Sequence, residues 1–139
     1  MISQTAEYAL RAIVFLAMHP GTAFTTQQIS ATTKVPTAYL SKVMQSLVKA
    51  QLIHSQRGLG GGFLLAKAPE HLSILEIVNA VEPVARIRSC PLGIEAHGNV
   101  LCALHRKLDD ACALIENTFA DSSVADILSK PTASIPLSE

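Results

Sequence analysis

A glycine-rich segment between two short apolar runs restricts the fold of this chain more than any other feature. The segment, residues 56–62 (Gln-Arg-Gly-Leu-Gly-Gly-Gly), separates an apolar run at 52–55 from another at 63–66. Two such runs joined by a glycine-rich loop are typical of a β-hairpin. The glycines could also form no more than a tight turn with positive φ. A phosphate-binding loop is disfavoured, because the segment lacks the Gly-Lys-Ser/Thr ending and does not open a helix.

Two short helices joined by a tight turn precede this hairpin. Thr25 with Gln28 three residues later has the pattern of a capping box, which predicts a helix to about residue 32. Pro36 suits the first turn of a second helix, which we expect to run to about residue 50. Together with a helix predicted over about residues 3–18, this order indicates a helix-turn-helix followed by a wing. The apolar stripe of the second helix comprises Leu40, Val43, Met44, Leu47 and Val48.

The remainder of the chain is predicted to be helical on both sides of an irregular loop. Ser73 with Glu76 indicates a second capping box and a helix to about residue 82. A long helix is expected over about residues 99–119, and a short one near residues 123–128. Five apolar residues of the long helix follow the 3-4-3-4 spacing of a coiled-coil seam, which predicts a dimer interface. They are Leu101, Leu104, Leu108, Ala111 and Ile115.

The net charge of zero conceals a strong asymmetry between the two halves of the chain. Residues 1–67 hold six basic groups and one acid, whereas residues 68–139 have a net charge of −5. A first half with a net charge of +5 suggests a polyanionic partner. No apolar run reaches the roughly 18 residues that a membrane helix needs, and no secretory signal is evident, so we expect a cytoplasmic protein without a membrane partner.

The helix-turn-helix, the wing and the basic charge together predict binding to double-stranded DNA. The second helix can enter the major groove with its N-terminal side chains against base edges, and the wing can place an arginine in the minor groove. A homodimer would read a pseudo-palindromic operator. The candidate DNA-binding residues are Thr26, Gln27, Thr37, Ala38, Tyr39, Ser41, Lys42, Gln45, Arg57, Gly60 and Gly61.

These patterns predict a mainly α fold with a small β-hairpin wing, that is, a winged helix-turn-helix plus a long C-terminal dimerisation helix. Residues 1–82 form the predicted DNA-binding domain, called the head below, and residues 83–98 a sensor loop. Residues 99–130 form the dimerisation helix region, and residues 131–139 a tail that we expect to be disordered. No enzyme is expected, because the nucleophile elbow, the metal-hydrolase helix motif and the dinucleotide fingerprint are all missing from the sequence.

Four stretches of the sequence resemble the Rrf-two family of bacterial winged-helix regulators, the group that includes IscR, NsrR and CymR. They are Glu7-Tyr8-Ala9-Leu10-Arg11 and residues 36–42, 57–63 and 73–82, and the resemblance extends over roughly residues 1–130. The resemblance implies a homodimeric transcriptional regulator whose long C-terminal helices cross at the dimer interface. It also draws attention to the three cysteines, which all follow the head.

The resemblance implies that the sensor loop and the start of the long helix hold ligands of an iron–sulfur cluster. Cys90 and Cys102 occupy two of the three cysteine positions of the cluster-binding members, whereas Ala96 occupies the middle one beside His97. His105 and Glu7 stand at the positions of the family's histidine and acidic ligands. Since one cysteine is missing, a [2Fe–2S] cluster with mixed ligands is favoured over a [4Fe–4S] cluster. The candidate metal ligands are Cys90, Cys102, His105, His97 and Glu7.

Two other interpretations of the cysteines remain open. A thiol switch could form between Cys90 and Cys102 or Cys112, or the cysteines could be small packing residues. The sequence therefore predicts a DNA-binding regulator that senses redox state, iron or nitric oxide through a Cys/His loop. The alternatives are a cluster-free regulator responding to a small molecule, thiol oxidation or a partner protein, and a winged helix used for protein interaction.

Overall fold

A computed structural model describes residues 2–130 and 134–137 of the chain. Within them lie six α-helices and one antiparallel hairpin, which confirms the predicted mainly α fold with a small wing. The order is α1 (Gln4–Ala17), α2 (Thr26–Thr33), α3 (Thr37–Lys49), β1 (Ile53–Gln56), β2 (Gly62–Leu65), α4 (Ile74–Val81), α5 (Ala103–Ala120) and α6 (Val124–Ser129). Short 3-10 turns occupy Pro69–His71 and Glu95–His97.

Helix α1 is the centre of the head. Ser3 caps it by accepting a hydrogen bond from the Ala6 amide at 3.1 Å. Ala9, Ala12 and Ile13 are completely buried, and α1 packs against α2, α3 and α4. Small alanines let neighbouring helices approach closely, so the other helices of the head gather around one axis. The head therefore has a rigid core on which α3 and the wing are mounted.

The turn between α2 and α3 is fixed by side chains as well as by the backbone. The predicted capping box of Thr25 and Gln28 is present, and Lys34 ends α2 in the left-handed conformation with φ 60°. Ser30 donates its hydroxyl to the Val35 carbonyl at 2.6 Å. Pro36 precedes α3 instead of lying in its first turn, because its ψ of 135° is extended. The prediction for Pro36 was therefore wrong by one position.

The hairpin pairs β1 and β2 with Ile53 opposite Leu65 and Gln56 opposite Gly62. Both strands were predicted, but each lies one residue closer to the loop than expected. Phe24 forms an isolated antiparallel β-bridge with Phe63 of β2. Its amide donates to the Phe63 carbonyl at 3.0 Å, and its carbonyl accepts from the Phe63 amide at 2.8 Å. The wing is thus tied to the segment just before α2, on the helix-turn-helix itself.

Helix α4 and the C-terminal helix α6 complete the head. The capping box of Ser73 and Glu76 is present as predicted. Burial alone would raise the pKa of Glu76, but hydrogen bonds from Lys67 and Ser73 outweigh it and hold the pKa below its ordinary value. After α5 the chain returns, and Val124, completely buried in the head core, donates its amide to the Leu72 carbonyl at 2.8 Å. Helix α6 therefore belongs to the packing of the head.

The long helix begins later than the sequence indicated. Cys102 is its extended N-cap, so the expected start near residue 99 was wrong and Leu101 lies outside the helix. The cause is a run of tight turns before it. Gly98 has φ 51°, and the Val100 amide donates to the His97 carbonyl at 3.0 Å. The backbone of residues 97–100 therefore forms tight turns and does not join the helix. Four of the five predicted seam residues remain on α5.

The predicted disordered tail lies partly outside the described residues, at 131–133 and 138–139. Of its described part, Leu137 packs against the head core. Over the described chain, we find no helix that combines the length and the apolar character needed to cross a membrane.

Candidate nucleic-acid interface and sensor loop

Helix α3 presents a polar face to solvent and an apolar face to the core. Leu40, Val43, Met44 and Leu47 are buried, and Val48 is half-buried. This division follows the helical period, so the opposite side chains point away from the head. The predicted readers of α3 are all exposed, as is Lys49; they are Thr37, Ala38, Tyr39, Ser41, Lys42 and Gln45. Among the described residues, no salt bridge engages Lys42.

Two tyrosines support the exposed N-terminal half of α3 from α1. The rings of Tyr8 and Tyr39 are 6.2 Å apart, and Tyr39 is 59% exposed whereas Tyr8 is buried. Tyr39 can therefore meet a base or phosphate with its edge while its ring packs on α1. The two candidates on α2 differ, because Thr26 is half-buried and Gln27 is exposed.

The tip of the wing combines a free cation with a backbone that only glycine permits. Arg57 is exposed and makes no salt bridge within the described part of the chain. Gly60 has φ 73°, and the Gly61 amide donates to the Gly58 carbonyl at 2.9 Å. A Cβ at Gly61 would lie 2.5 Å from the Gln56 carbonyl oxygen, so any side chain there forces the turn to open. The glycines thus set the shape in which Arg57 is presented.

We expect Gly61→Ala to weaken DNA binding while leaving the head folded. The clash with the Gln56 carbonyl costs about 1–3 kcal/mol of local strain, which the exposed loop relieves by changing shape. Leu59→Ala is the matched control, because Leu59 is fully exposed at the same tip. Titrations of labelled duplex DNA by fluorescence anisotropy, with thermal melts of each variant, measure both effects. Equal affinities for Gly61→Ala and Leu59→Ala would show that the shape of the tip is irrelevant.

The Glu-Tyr-Ala-Leu-Arg segment braces the helix-turn-helix from α1. Arg11 forms a salt bridge with Glu7 at 2.7 Å and donates a second hydrogen bond to the Thr33 carbonyl at 3.1 Å. The guanidinium also lies 5.5 Å from the centre of the Tyr8 ring. Arg11 therefore caps the end of α2 just before the turn. In this chain Glu7 is engaged by Arg11, so serving as a metal ligand would require it to leave that pair.

The five predicted metal ligands are dispersed within one chain. Cys102 and His105 are adjacent, with the thiol sulphur 3.3 Å from the imidazole Nδ1. Cys90 is half-buried in the sensor loop, and Nδ1 of His97 is buried without a hydrogen-bond partner. Across residues 2–130 and 134–137, no three His, Cys, Asp or Glu side chains converge as ligands for one metal ion. A single protomer therefore supplies a Cys–His pair and not a complete cluster site.

An ion pair between the sensor loop and α5 was missed by sequence reasoning. Arg86 binds Asp109 through two hydrogen bonds of 2.8 and 2.9 Å and reaches Glu116 at 3.3 Å. The Ile87 amide also donates to Asp109 at 2.9 Å. Hydrogen bonds from Arg86 and from Ile87 hold the pKa of Asp109 well below its usual range. In turn, the hydrogen bond to Asp109 raises the pKa of Arg86.

The signal for this contact is visible in hindsight. Asp109 and Glu116 are seven residues apart and share a face of the helix, with a cation in the preceding loop. Sequence reasoning did not predict that Arg86 pairs with Asp109. The structure shows instead that Arg86 fastens the first residues of the sensor loop to α5.

We expect Asp109→Asn to loosen the sensor loop. The substitution removes the charge that Arg86 binds, so peptides covering residues 83–98 should exchange their amide hydrogens several-fold faster by mass spectrometry. Because the folded pKa of Asp109 is depressed, its contribution is present above the ordinary aspartate value of about 3.9 and is lost as the pH falls below it. Asp110→Asn, at an exposed neighbour, is the control. Unchanged exchange in Asp109→Asn would contradict the fastening role.

The predicted seam of α5 is exposed in the single chain. Leu104 and Leu108 are 64% and 48% exposed, Ala111 is exposed and Ile115 is half-buried. Leu114, beside them, is 68% exposed. A row of exposed leucines along one helix is a surface that a partner normally covers.

Comparison with known proteins agrees with this architecture. Residues 2–130 match the model of the family Rrf2, described as "Iron-dependent Transcriptional regulator". The chain is 30% identical over 116 residues to the HTH-type transcriptional regulator NsrR of Bacillus subtilis, covering 79% of this chain and 77% of that protein. It is 28% identical over 131 residues to NsrR of Shouchella clausii, covering 91% and 87% of the two chains.

Two solved structures share the fold at low sequence identity. The structure of T. potens IscR superposes with a TM-score of 0.76 at 22% identity, covering 92% of this chain and 85% of that one. The structure of CymR, the global cysteine regulator of B. subtilis, superposes with a TM-score of 0.75 at 21% identity, covering 91% and 95%. Because the family model spans nearly the whole chain and the fold agrees, the chain belongs to the Rrf2 family of DNA-binding transcriptional regulators.

Proposed function

We propose that two copies of this chain bind a pseudo-palindromic operator through α3 and the wing. The observation that carries the proposal is the exposed polar face of α3, together with an exposed wing-tip arginine that makes no salt bridge to any described residue. Both belong to the half of the chain with a net charge of +5. In this arrangement Thr37, Tyr39 and Gln45 meet base edges in the major groove. Lys42 contacts the phosphate backbone, and Arg57 enters the minor groove.

The dimer of the proposal forms along α5. The exposed leucines at positions 104 and 108, with Ala111 and Ile115, meet the same residues of a second copy. Such self-complementary contact is typical of a twofold interface, and it fixes the distance between two recognition helices. The half-sites of the operator should therefore be separated by about one helical turn, roughly 10 base pairs.

The region that carries the three cysteines is the proposed sensor of this chain. The family description names iron dependence, which supports a signal linked to iron or redox state. Within residues 2–130 and 134–137 the donor set of a single chain does not fit a cluster, because Cys102 and His105 are the only predicted ligands in contact with each other. A [2Fe–2S] cluster would need Cys90, with His97 or with Glu7 of a second copy, to join that pair. A thiol adjacent to an imidazole can instead act as a redox-sensitive group by itself.

Two measurements test these proposals separately. Titration of duplex DNA from the upstream region of the gene, at several salt concentrations, should give affinity that falls steeply with salt. Binding without salt dependence or without sequence preference would contradict the DNA-binding proposal.

Anaerobic purification with an absorption spectrum and iron and sulphide analysis tests the sensor. Broad visible bands with about two iron atoms per chain would assign a [2Fe–2S] cluster, whereas colourless, iron-free protein would leave thiol sensing.

A further inference from the structure

A small cavity lies where the head meets the long helix. Its volume is about 240 Å³, and its walls come from the start of α1, the end of α4, the linker after α4 and the middle of α5. Most of the lining is apolar, including Ile2, Ala6, Val78, Val84 and Ile115. For comparison, an apolar cavity of about 150 Å³ in another protein holds benzene. The space is therefore large enough for a molecule with a single ring and a short substituent.

The polar groups of the cavity give it a negative character. Glu82 lines it, and in the described part of the chain no hydrogen bond or salt bridge engages the Glu82 carboxylate. The Ser3 hydroxyl is already used as the cap of α1. The thiol of Cys112 is half-buried in the wall formed by α5. An apolar wall with one unpaired carboxylate is complementary to an apolar molecule that carries a cation.

The cavity adjoins the contact that fastens the sensor loop to α5. Val84 and Ala85 line it and directly precede Arg86, while Cys112 follows Asp109 by three residues, about one helical turn. A molecule inside the cavity would touch the head through α1 and α4, and the dimerisation helix through α5. Its differential binding to two arrangements of these helices would therefore shift the distance between the two heads of a dimer.

We propose that this cavity is an effector site for a compact, mainly apolar amine, and that its occupancy changes the affinity for DNA. The apolar part packs against Ile2, Val78 and Ile115, and the ammonium group faces Glu82. The regulatory half of this inference rests on the proposed DNA-binding function, whereas the binding half does not. Both are testable on the whole 139-residue chain.

Benzylamine is the probe, and benzoate is its matched control, because the two share a ring and differ in charge. Occupancy is measured as the rate at which N-ethylmaleimide alkylates Cys112, with Cys90 of the same chain as the internal reference, by mass spectrometry of peptides. Benzylamine should slow alkylation of Cys112 several-fold without affecting Cys90, and benzoate should do neither. The Glu82→Gln variant should lose the difference between the two probes. Equal rates at Cys112 with and without benzylamine would overturn the proposal.

The regulatory half is read from the same samples by anisotropy with duplex DNA. Benzylamine should change the affinity of the wild type several-fold, and it should leave the affinity of Glu82→Gln nearly unchanged. Protection of Cys112 without any change in DNA affinity would overturn the regulatory half alone. A protein that binds no DNA under any condition would contradict the proposed function, while protection of Cys112 would still report on the cavity.

Discussion

The double variant Lys42→Ala, Arg57→Ala loses operator binding at physiological salt while its melting temperature stays close to that of the wild type. Both side chains are exposed and make no salt bridge among the described residues, so their removal costs the fold little. A dimer loses four cations at once. Each phosphate contact contributes about one unit to the slope of log affinity against log salt, so the loss of Lys42 from both copies should make the slope shallower by about two.

The expected loss of affinity is at least about 100-fold, because a groove-inserted arginine alone is worth roughly 1–3 kcal/mol in each half-site. The matched control is Arg88→Ala, Lys130→Ala, which removes the same charge from exposed positions outside the head's reading surface. The control should keep most of the affinity and most of the salt slope. Equal losses in the two double variants would mean that only net charge matters and that α3 and the wing do not read the DNA.

The double variant Leu104→Asp, Leu108→Asp is expected to be monomeric. These leucines are largely exposed in one chain and would be covered by a second copy. Burying a leucine contributes about 1.5–3 kcal/mol, and a dimer buries four of them. The charges would also repel each other across the seam. Light scattering after size-exclusion chromatography measures the mass, and operator affinity should fall with it, because a monomer contacts one half-site.

Ala103→Asp, Asn117→Asp is the control for the seam variant. It adds the same two charges to exposed positions of α5 that lie away from the leucine row. This control should remain dimeric and should bind DNA. A Leu104→Asp, Leu108→Asp variant that still has the mass of a dimer would show that the two chains associate through another surface.

The parts of the fold that local interactions determine were predictable from the sequence. The capping boxes at Thr25 and Ser73 appear as predicted, because a hydroxyl and the third residue after it satisfy each other's backbone within one turn. The polar face of α3 follows from the period of its apolar residues alone. These local signals placed every candidate reader of α3 on the exposed side of that helix.

The parts that depend on distant contacts were not predictable in the same way. The pair of Arg86 and Asp109 joins residues 23 positions apart, so no helical or strand period encodes it. The position of Leu101 depends on the tight turns after His97, which compete with the helix for the same backbone. The requirement for glycine at position 61 arises from a carbonyl five residues earlier in the folded loop. Such features form only when the chain has folded and brought these residues into contact.

The most direct test of the proposed DNA reading by two heads is a selection of bound fragments from sheared genomic DNA of the source organism, with the purified 139-residue chain. The wild type should enrich one pseudo-palindromic motif whose half-sites lie about 10 base pairs apart. The Lys42→Ala, Arg57→Ala variant should enrich none. Enrichment of no common motif by the wild type, or of the same motif by both proteins, would contradict sequence reading by α3 and the wing.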